Sequence, residues 1–191
     1  RENLLFFAGL YGLAGGEARR RAGEVLELVG LRERQDERVK GFSGGMKRRL
    51  NLAAAVVHDP PLVLLDEATA GVDPQSRHAI LELVRALRRE GRTVIYSTHY
   101  MEEAQRLCDR VAIMDRGRLL ALDTVGGLVS AHGDRAAVVV ERAEGEERIE
   151  TDEPLGEIKR LLEGGLTQPV RVERPDLESV FLKLTGRSLR D

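Results

Sequence analysis

The chain has 191 residues, 42% of them hydrophobic, and its 30 Lys and Arg residues against 32 Asp and Glu residues give a formal charge of -2. This length fits one domain, or one domain with a small appendage, and the composition argues against a disordered or fibrous protein. The near-zero charge provides no general attraction to nucleic acid or anionic membranes. The single cysteine, Cys108, excludes an internal disulfide and a Cys-rich metal site. We expect it to be a small buried residue of a protein in a reducing compartment.

The first part of the chain has the apolar spacing of amphipathic helices. Between Glu2 and Gly30, apolar residues recur at helical intervals on either side of the glycines in segment 12–16, which predicts two helices. A polar turn or linker follows at 31–41. Ser43 then precedes a series with i, i+3, i+4 and i+7 spacing, which predicts a helix capped by Ser43. The series is Leu50, Ala53, Ala54 and Val57.

Strand and helix patterns alternate in the middle of the chain. Leu62 to Leu65 is an unbroken apolar run that ends in two acids, as is typical of a buried parallel strand. Asp73-Pro74 begins a helical pattern that stops near Gly91, and Thr93 to Ser97 predicts the next strand. This alternation favours a parallel α/β sheet.

The remaining sequence predicts smaller elements. A helix is expected from Met101 to Cys108, and a β-hairpin from Val111 to Leu122 around the turn Asp115-Arg116-Gly117. The pattern of predicted strands and helices changes after Gly126-Gly127, so we expect a small α+β appendage at 126–191. Its predicted strands cover 136–140 and 170–172, and its predicted helices cover 155–162 and 177–184.

Phe42-Ser43-Gly44-Gly45-Met46 is the first candidate for chemistry. Two glycines at a helix start let a ligand approach the backbone, and free N–H groups with the positive helix dipole suit a phosphate. The Ser43 hydroxyl adds a donor. Taken alone, the motif is more typical of an ordinary Ser-capped helix after a flexible turn.

The second candidate lies where the apolar strand ends in Asp66-Glu67. An Asp at this place can hold Mg²⁺ through water, and the neighbouring Glu can orient and deprotonate a water for in-line attack on phosphorus. A strand that simply ends in solvated charge is the alternative interpretation.

Two further residues are expected near this sheet edge. His99 ends the next strand in Tyr96-Ser97-Thr98-His99, where an imidazole can hydrogen-bond a phosphate or the attacking water. Taken alone, a histidine is more often a structural residue. Asp73 is the expected N-cap of the helix that begins with Pro74, a role that is compatible with a functional one.

Together these segments resemble the ATPases of ABC transporters. Phe42 to Lys47 is similar to their signature motif, Leu62 to Glu67 to their Walker B strand and catalytic Glu, Ala70 to Asp73 to their D-loop, and His99 to their switch histidine. The resemblance implies a P-loop NTPase-like α/β core at 1–125. This core is partial, with a helical and signature subdomain at 1–58 and a catalytic part at 59–125.

Two features of the sequence are similar to one branch of this family, the ATPases that work with ABC-2-type membrane subunits in drug, antibiotic or polysaccharide export. Met46 stands where the family most often has Gln, and Ser-Gly-Gly-Met followed by basic residues is similar to that branch. Leu177 to Arg187 resembles the closing helix of its extra C-terminal segment.

The resemblance also implies roles for individual residues. ATP would contact Ser43, Gly44, Gly45 and Met46, while Asp73 would link two nucleotide sites. Asp66 would hold Mg²⁺ through water, Glu67 would act as the base, and His99 would sense the γ-phosphate.

Partners and location follow from the same resemblance. It implies a head-to-tail homodimer of nucleotide-binding domains on an ABC-2-type permease, with no nucleic acid partner. The protein would then be cytoplasmic and peripheral on the inner face of the cell membrane.

The phosphate-binding loop of the family, Gly-x-x-x-x-Gly-Lys-Ser/Thr, does not occur in this sequence. We therefore expect an N-terminally truncated chain that by itself binds Mg-ATP very weakly, does not hydrolyse it, and exposes apolar sheet faces. Two other interpretations remain open at this point: a degenerate regulatory subunit without catalysis, and a soluble ABC ATPase of DNA repair or translation.

Overall fold

The structure of the protein is a computed structural model that describes residues 1–142 and 144–186. Its backbone contacts divide the chain into two compact units, Arg1–Glu103 and Ala104–Asp191. The predicted division into an ATPase part at 1–125 and an appendage at 126–191 stays a prediction. Arg187, the last residue of the C-terminal motif, lies outside the described residues.

The first unit begins with helices, as the apolar spacing predicts. Helix α1 spans Glu2–Leu10 and α2 spans Gly15–Leu28, and short 3-10 turns at Arg32–Arg34 and Val39–Gly41 lead to α3 at Gly44–Val56. The apolar residues that these helices bury against one another include Leu4, Ala8, Ala22, Leu26 and Ala53. The prediction of two helices before a Ser43-capped third is therefore confirmed.

A parallel pair of strands follows. Strand β1 spans Leu62–Asp66 and β2 spans Thr93–Ser97, and they pair in parallel with Leu62 opposite Thr93 and Asp66 opposite Ser97. Helix α4, at Pro74–Arg89, connects the two strands and packs its apolar side, including Ile80 and Leu83, into the core. The predicted strand–helix–strand order is confirmed, and helix α4 provides the crossover connection that a parallel pair of strands needs.

The prediction of a fully buried first strand is wrong. Val63 and Leu65 are buried, but Leu62 is 47% exposed, Leu64 is 68% exposed, and Ile95 opposite Leu64 is 57% exposed. Alternate residues of a strand point to opposite faces, so the pair has one covered and one uncovered apolar face. The expectation of exposed apolar sheet surface is confirmed by these same residues.

Helix α5, at Met101–Leu107, joins the first unit to the second, which continues with a hairpin. Strands β3 (Val111–Asp115) and β4 (Arg118–Asp123) pair antiparallel. Arg116 and Gly117 between them both have positive φ values, +48° and +72°, as a tight two-residue hairpin turn requires. The predicted hairpin is therefore confirmed.

The rest of the second unit is a mixed α+β arrangement. Helix α6 spans Val125–His132, and a three-stranded antiparallel sheet follows it. Its strands are β5 (Ala136–Arg142), β6 (Gly145–Thr151) and β7 (Val170–Glu173), in the spatial order β6-β5-β7. The other helices of this unit are α7 (Pro154–Glu163) and α8 (Leu177–Thr185). Sequence patterning missed α6 and β6. The missed helix contains adjacent glycines and four of the seven residues of the missed strand are charged, so neither has a clear apolar period.

Two smaller observations complete the fold. Cys108 is partly exposed, so the expectation that it is buried is wrong. Among the helices of the described residues, none has the length and apolarity needed to span a membrane.

The half-covered strand β1 gives a direct test of the fold. In the 191-residue chain, we expect Leu65→Ala to lower the free energy of unfolding by about 2–5 kcal/mol, because it opens a cavity in the core. Leu64→Ala removes the same atoms from a side chain that is 68% exposed, so it is expected to lower the free energy of unfolding by less than about 0.5 kcal/mol. Urea unfolding of both variants measures the difference, and equal losses would contradict the assigned faces of the strand.

Candidate functional site

The carboxyl ends of β1 and β2 bring three predicted residues to one sheet edge. Asp66 is the last residue of β1, Glu67 follows it, and His99 lies two residues beyond the end of β2. Ser97, opposite Asp66 in the register, donates its hydroxyl hydrogen bond to the Asp66 carboxylate. The structure therefore places these residues together, as the shared edge of a parallel sheet predicts.

Glu67 and His99 are in direct contact. His99 Nδ1 and Glu67 Oε2 share a hydrogen bond of 2.8 Å, and the two side chains are 56% and 39% exposed, respectively. The Glu67 N–H donates to the main-chain oxygen of Ser97 at 3.2 Å, which fixes the turn after β1 against the end of β2. The Glu67 carboxylate is thus oriented by an imidazole and is still open to solvent, as a proton acceptor for a bound water must be.

The ring of His99 is itself supported by a stack. The Tyr100 ring centroid lies 4.0 Å from that of His99, and the Arg77 guanidinium lies 4.6 Å from the Tyr100 centroid, within the range of a cation–π contact. The position of the imidazole is therefore set by packing as well as by its bond to Glu67.

The glycine motif lies at the free start of α3. Ser43 caps this helix, and its hydroxyl oxygen accepts a hydrogen bond of 3.2 Å from the Met46 N–H. Ser43 and Gly44 are exposed, Gly45 is buried and Met46 is partly exposed. The predicted cap is confirmed, and the helix start presents backbone donors and a positive dipole end to solvent.

Gly45 lies against the start of helix α4. A Cβ atom at Gly45 would overlap the Ser76 side chain and would lie 3.0 Å from Asp73 Oδ2. Asp73 caps α4 by accepting a 2.8 Å hydrogen bond from the Ser76 N–H. Backbone and hydroxyl hydrogen bonds from Ser76 lower the pKa of Asp73, so this cap is an anion at neutral pH. The structure thus brings the glycine motif and Asp73 together as a second cluster.

The carboxylate at the end of β1 is suited to magnesium. Asp66 is exposed at the sheet edge. Within the described residues, no group of three or more His, Cys, Asp or Glu side chains forms a metal site. Mg²⁺ commonly uses one or two carboxylates together with waters and substrate phosphates, so a single exposed Asp fits such an ion, whereas a protein cage is not required.

A buried carboxylate behind this edge was missed by sequence reasoning. Glu103 is 1% exposed and accepts hydrogen bonds from the Thr69 hydroxyl at 2.8 Å, Arg77 Nε at 2.7 Å, the Tyr96 hydroxyl at 2.7 Å and the Thr98 hydroxyl at 3.0 Å. It joins the segment after Glu67, the helix capped by Asp73 and the residue before His99. In the sequence, Glu103 is simply an acid at the third position of the helix that follows His99. That position does not distinguish a buried carboxylate from an exposed one.

Comparison with known proteins identifies the family. A family model described as ABC transporter matches residues 1–70. A solved chain described as the ATP binding subunit of an ABC transporter superposes with a TM-score of 0.60 at 33% identity, over 69% of this chain and 55% of that chain.

Similar proteins of known name are resistance and export ATP-binding proteins. The chain is 41% identical to the linearmycin resistance ATP-binding protein LnrL of Bacillus subtilis, over 100% of this chain and 70% of that protein. It is 41% identical to the daunorubicin resistance ATP-binding protein DrrA2 of Streptomyces coeruleorubidus, over 97% and 67%. It is 40% identical to the Nod factor export ATP-binding protein I of Burkholderia thailandensis, over 100% and 69%.

The chain therefore belongs to the family of ABC transporter ATP-binding proteins. The family and the P-loop NTPase-like α/β fold class, both expected from the motifs, are confirmed. The roles of individual site residues stay predictions.

The two glycines of the motif differ in their surroundings, which gives a matched pair of variants. In the 191-residue chain, Gly45→Ala is expected to lower the free energy of unfolding by about 1–3 kcal/mol, because the new methyl group must displace Ser76 and the start of α4. Nothing lies within 4 Å of a Cβ at Gly44, so Gly44→Ala is expected to change the free energy of unfolding by less than about 1 kcal/mol. Urea unfolding compares them, and an equal or reversed order would contradict the packing of Gly45.

Glu103 predicts a pH dependence of stability. Burial raises its pKa, but the hydrogen bonds from Tyr96, Thr69, Arg77 and Thr98 outweigh burial and the pKa is lowered. A lowered folded-state pKa stabilises the protein at every pH above the ordinary Glu value of about 4.3, and this stabilisation is lost as the pH falls through the folded-state pKa.

We therefore expect Glu103→Gln to lower the free energy of unfolding at pH 7 by about 1–3 kcal/mol and to show a smaller further loss on acidification than the unchanged chain. Urea unfolding from pH 7 to pH 3 measures both effects. Glu33→Gln, which alters an exposed carboxylate of the same unit, is the control. Parallel pH profiles for the unchanged chain and Glu103→Gln would refute the role of the buried carboxylate.

Proposed function

We propose that this chain forms the signature and Walker B part of an ATP-hydrolysing subunit that energises export across a membrane. The observation that carries the proposal is the 2.8 Å hydrogen bond between Glu67 and His99 beside Asp66. An acid oriented by an imidazole next to a second, exposed acid can position a water and hold a magnesium ion for hydrolysis of a phosphate. The named relatives, which act in antibiotic resistance and Nod factor export, support an exported drug-like, antibiotic, lipid or polysaccharide substrate.

The geometry of the sheet edge supports the proposed catalytic roles. Asp66 would hold Mg²⁺ through water, and the ion would neutralise charge on the phosphate oxygens. Glu67 accepts the proton of the attacking water, while the bond from His99 keeps the carboxylate pointed at that water. His99 is also within the same exposed edge, where its ring responds to the γ-phosphate.

The helix start supplies the nucleotide contacts. Ser43, Gly44, Gly45 and Met46 would receive the phosphates of ATP at the N-terminus of α3, where donors and the helix dipole favour an anion. Because Gly45 packs on the helix capped by Asp73, movement of the glycine motif changes the surroundings of Asp73 directly. Asp73 is therefore suited to link two nucleotide sites.

Assembly is part of the same proposal. A second copy of the subunit would supply the phosphate-binding loop that faces this glycine motif, so that each ATP lies between two subunits. Closure on ATP and reopening after hydrolysis would drive an ABC-2-type permease through a population shift powered by nucleotide contacts. The subunit would then work as a homodimer at the inner face of the cell membrane, bound through the permease.

Removal of the proposed base tests the reaction. In the complete ATP-binding subunit, we expect Glu67→Gln to lower kcat for ATP hydrolysis by about 100-fold or more, since a positioned general base contributes that much. Glu82→Gln, on helix α4 and paired with Arg85, is the control and should keep its activity. Undiminished steady-state ATPase activity of Glu67→Gln would remove Glu67 from the role of base.

The nucleotide affinity of residues 1–191 tests the contribution of the phosphate loop. Because the sequence has no Gly-x-x-x-x-Gly-Lys-Ser/Thr segment, the main source of phosphate contacts in this class of proteins is not supplied by the chain. We expect titration calorimetry with Mg-ATP to detect no micromolar binding and a phosphate-release assay to detect no hydrolysis. A micromolar dissociation constant would contradict this expectation.

A further inference from the structure

Arg48 contacts the turn that carries the proposed base. It lies on α3, and its guanidinium donates three hydrogen bonds to the main-chain oxygens of the last residue of β1 and the two residues that follow it. Nε donates to the Ala68 oxygen at 2.9 Å, and Nη2 donates to the Asp66 oxygen at 3.0 Å and the Glu67 oxygen at 2.7 Å. These three acceptors are backbone atoms, so the contact fixes the backbone conformation of this segment.

The backbone that Arg48 holds is in an unusual conformation. Glu67 has a φ of +46°, in the left-handed region that residues with a side chain rarely adopt. Such a conformation persists where the surroundings fix it from several sides. Arg48 fixes the carbonyl side of this turn, and the bond from the Glu67 N–H to the Ser97 oxygen fixes the other side.

This conformation decides where the Glu67 carboxylate lies. A change of φ at Glu67 rotates its side chain relative to β1, and the 2.8 Å contact with His99 would be lost. The planar guanidinium presents several donors in a fixed arrangement, whereas a Lys ammonium is a point donor on a flexible stem and does not reproduce it.

We propose that Arg48 is a positioning residue that keeps Glu67 in its left-handed turn and thereby aims the carboxylate at the attacking water. The proposal rests on the proposed role of Glu67 as the base. Arg48 also lies on the helix that begins at the glycine motif, so the same helix carries the proposed nucleotide contacts and the support of the base.

The neighbouring arginine provides a matched control. Arg49 lies on the same helix but donates from Nη1 to the Val29 oxygen, 2.8 Å away at the end of α2, and not to the turn after β1. Arg49→Lys therefore changes a comparable helix-to-backbone contact without touching Glu67.

The experiment measures steady-state ATP hydrolysis and thermal unfolding of the complete ATP-binding subunit with Arg48→Lys, Arg48→Met or Arg49→Lys. We expect both Arg48 variants to lower kcat by about 10- to 100-fold, with Arg48→Lys the milder, because a small misplacement of a catalytic group has effects of this size. The KM for ATP should change by less than about threefold in all variants. Arg49→Lys should retain its kcat even if its melting temperature falls.

Combination with Glu67→Gln separates positioning from general damage. If Arg48 acts through Glu67, Arg48→Met should not lower the single-turnover rate further once Glu67 is Gln, because residues that act as a unit are not additive. A further loss by the same factor, or a kcat of Arg48→Met within about threefold of the unchanged subunit, would overturn the proposal. Full activity of Glu67→Gln would remove the base role and this proposal together, whereas full activity of Arg48→Met beside an inactive Glu67→Gln would remove this proposal alone.

Discussion

The parallel pairing of β1 with β2 is the constraint on which the candidate site depends. The register sets Asp66 opposite Ser97, so the segments that leave the two strands start side by side. Glu67 and His99 are 32 residues apart in the sequence, and this pairing brings together the two segments whose hydrogen bond joins them. A shift of the register by one residue would exchange the faces of the strand and separate the pair.

The buried carboxylate of Glu103 holds the loops at this sheet edge in place through hydrogen bonds. Glu103 accepts bonds from residues next to each part of the site, and a buried carboxylate is tolerated only when hydrogen bonds and a cation compensate its lost hydration. Such a network adds little net stability because its hydrogen bonds mainly offset the lost hydration, whereas removal of one partner leaves an uncompensated buried group. It leaves Glu67 and His99 free to face solvent while the backbone around them stays in place.

Sequence patterning predicted much of the fold because several elements have local signals. Ser43 and Asp73 were readable as caps because a cap bonds to a backbone N–H three residues away. Helix α6 and strand β6 were missed because glycines and charges conceal any apolar period. The burial of β1 was misjudged because an apolar run does not reveal whether one or both of its faces are covered.

As with the fold, one part of the candidate site was predictable from the sequence and another part was not. The spacing of the glycine motif, of Asp66-Glu67 and of His99 was enough to indicate the family and to name the candidate residues. Sequence alone therefore determined the order of the elements and the chemistry carried at their ends, because these depend on residues close together in the chain. Only the tertiary structure decided that Gly45 lies against Ser76, that Arg48 holds oxygens about 20 residues away, and that Glu103 binds Thr69 across 34 residues. Contacts over such separations depend on how helices and strands pack, and no local pattern encodes them.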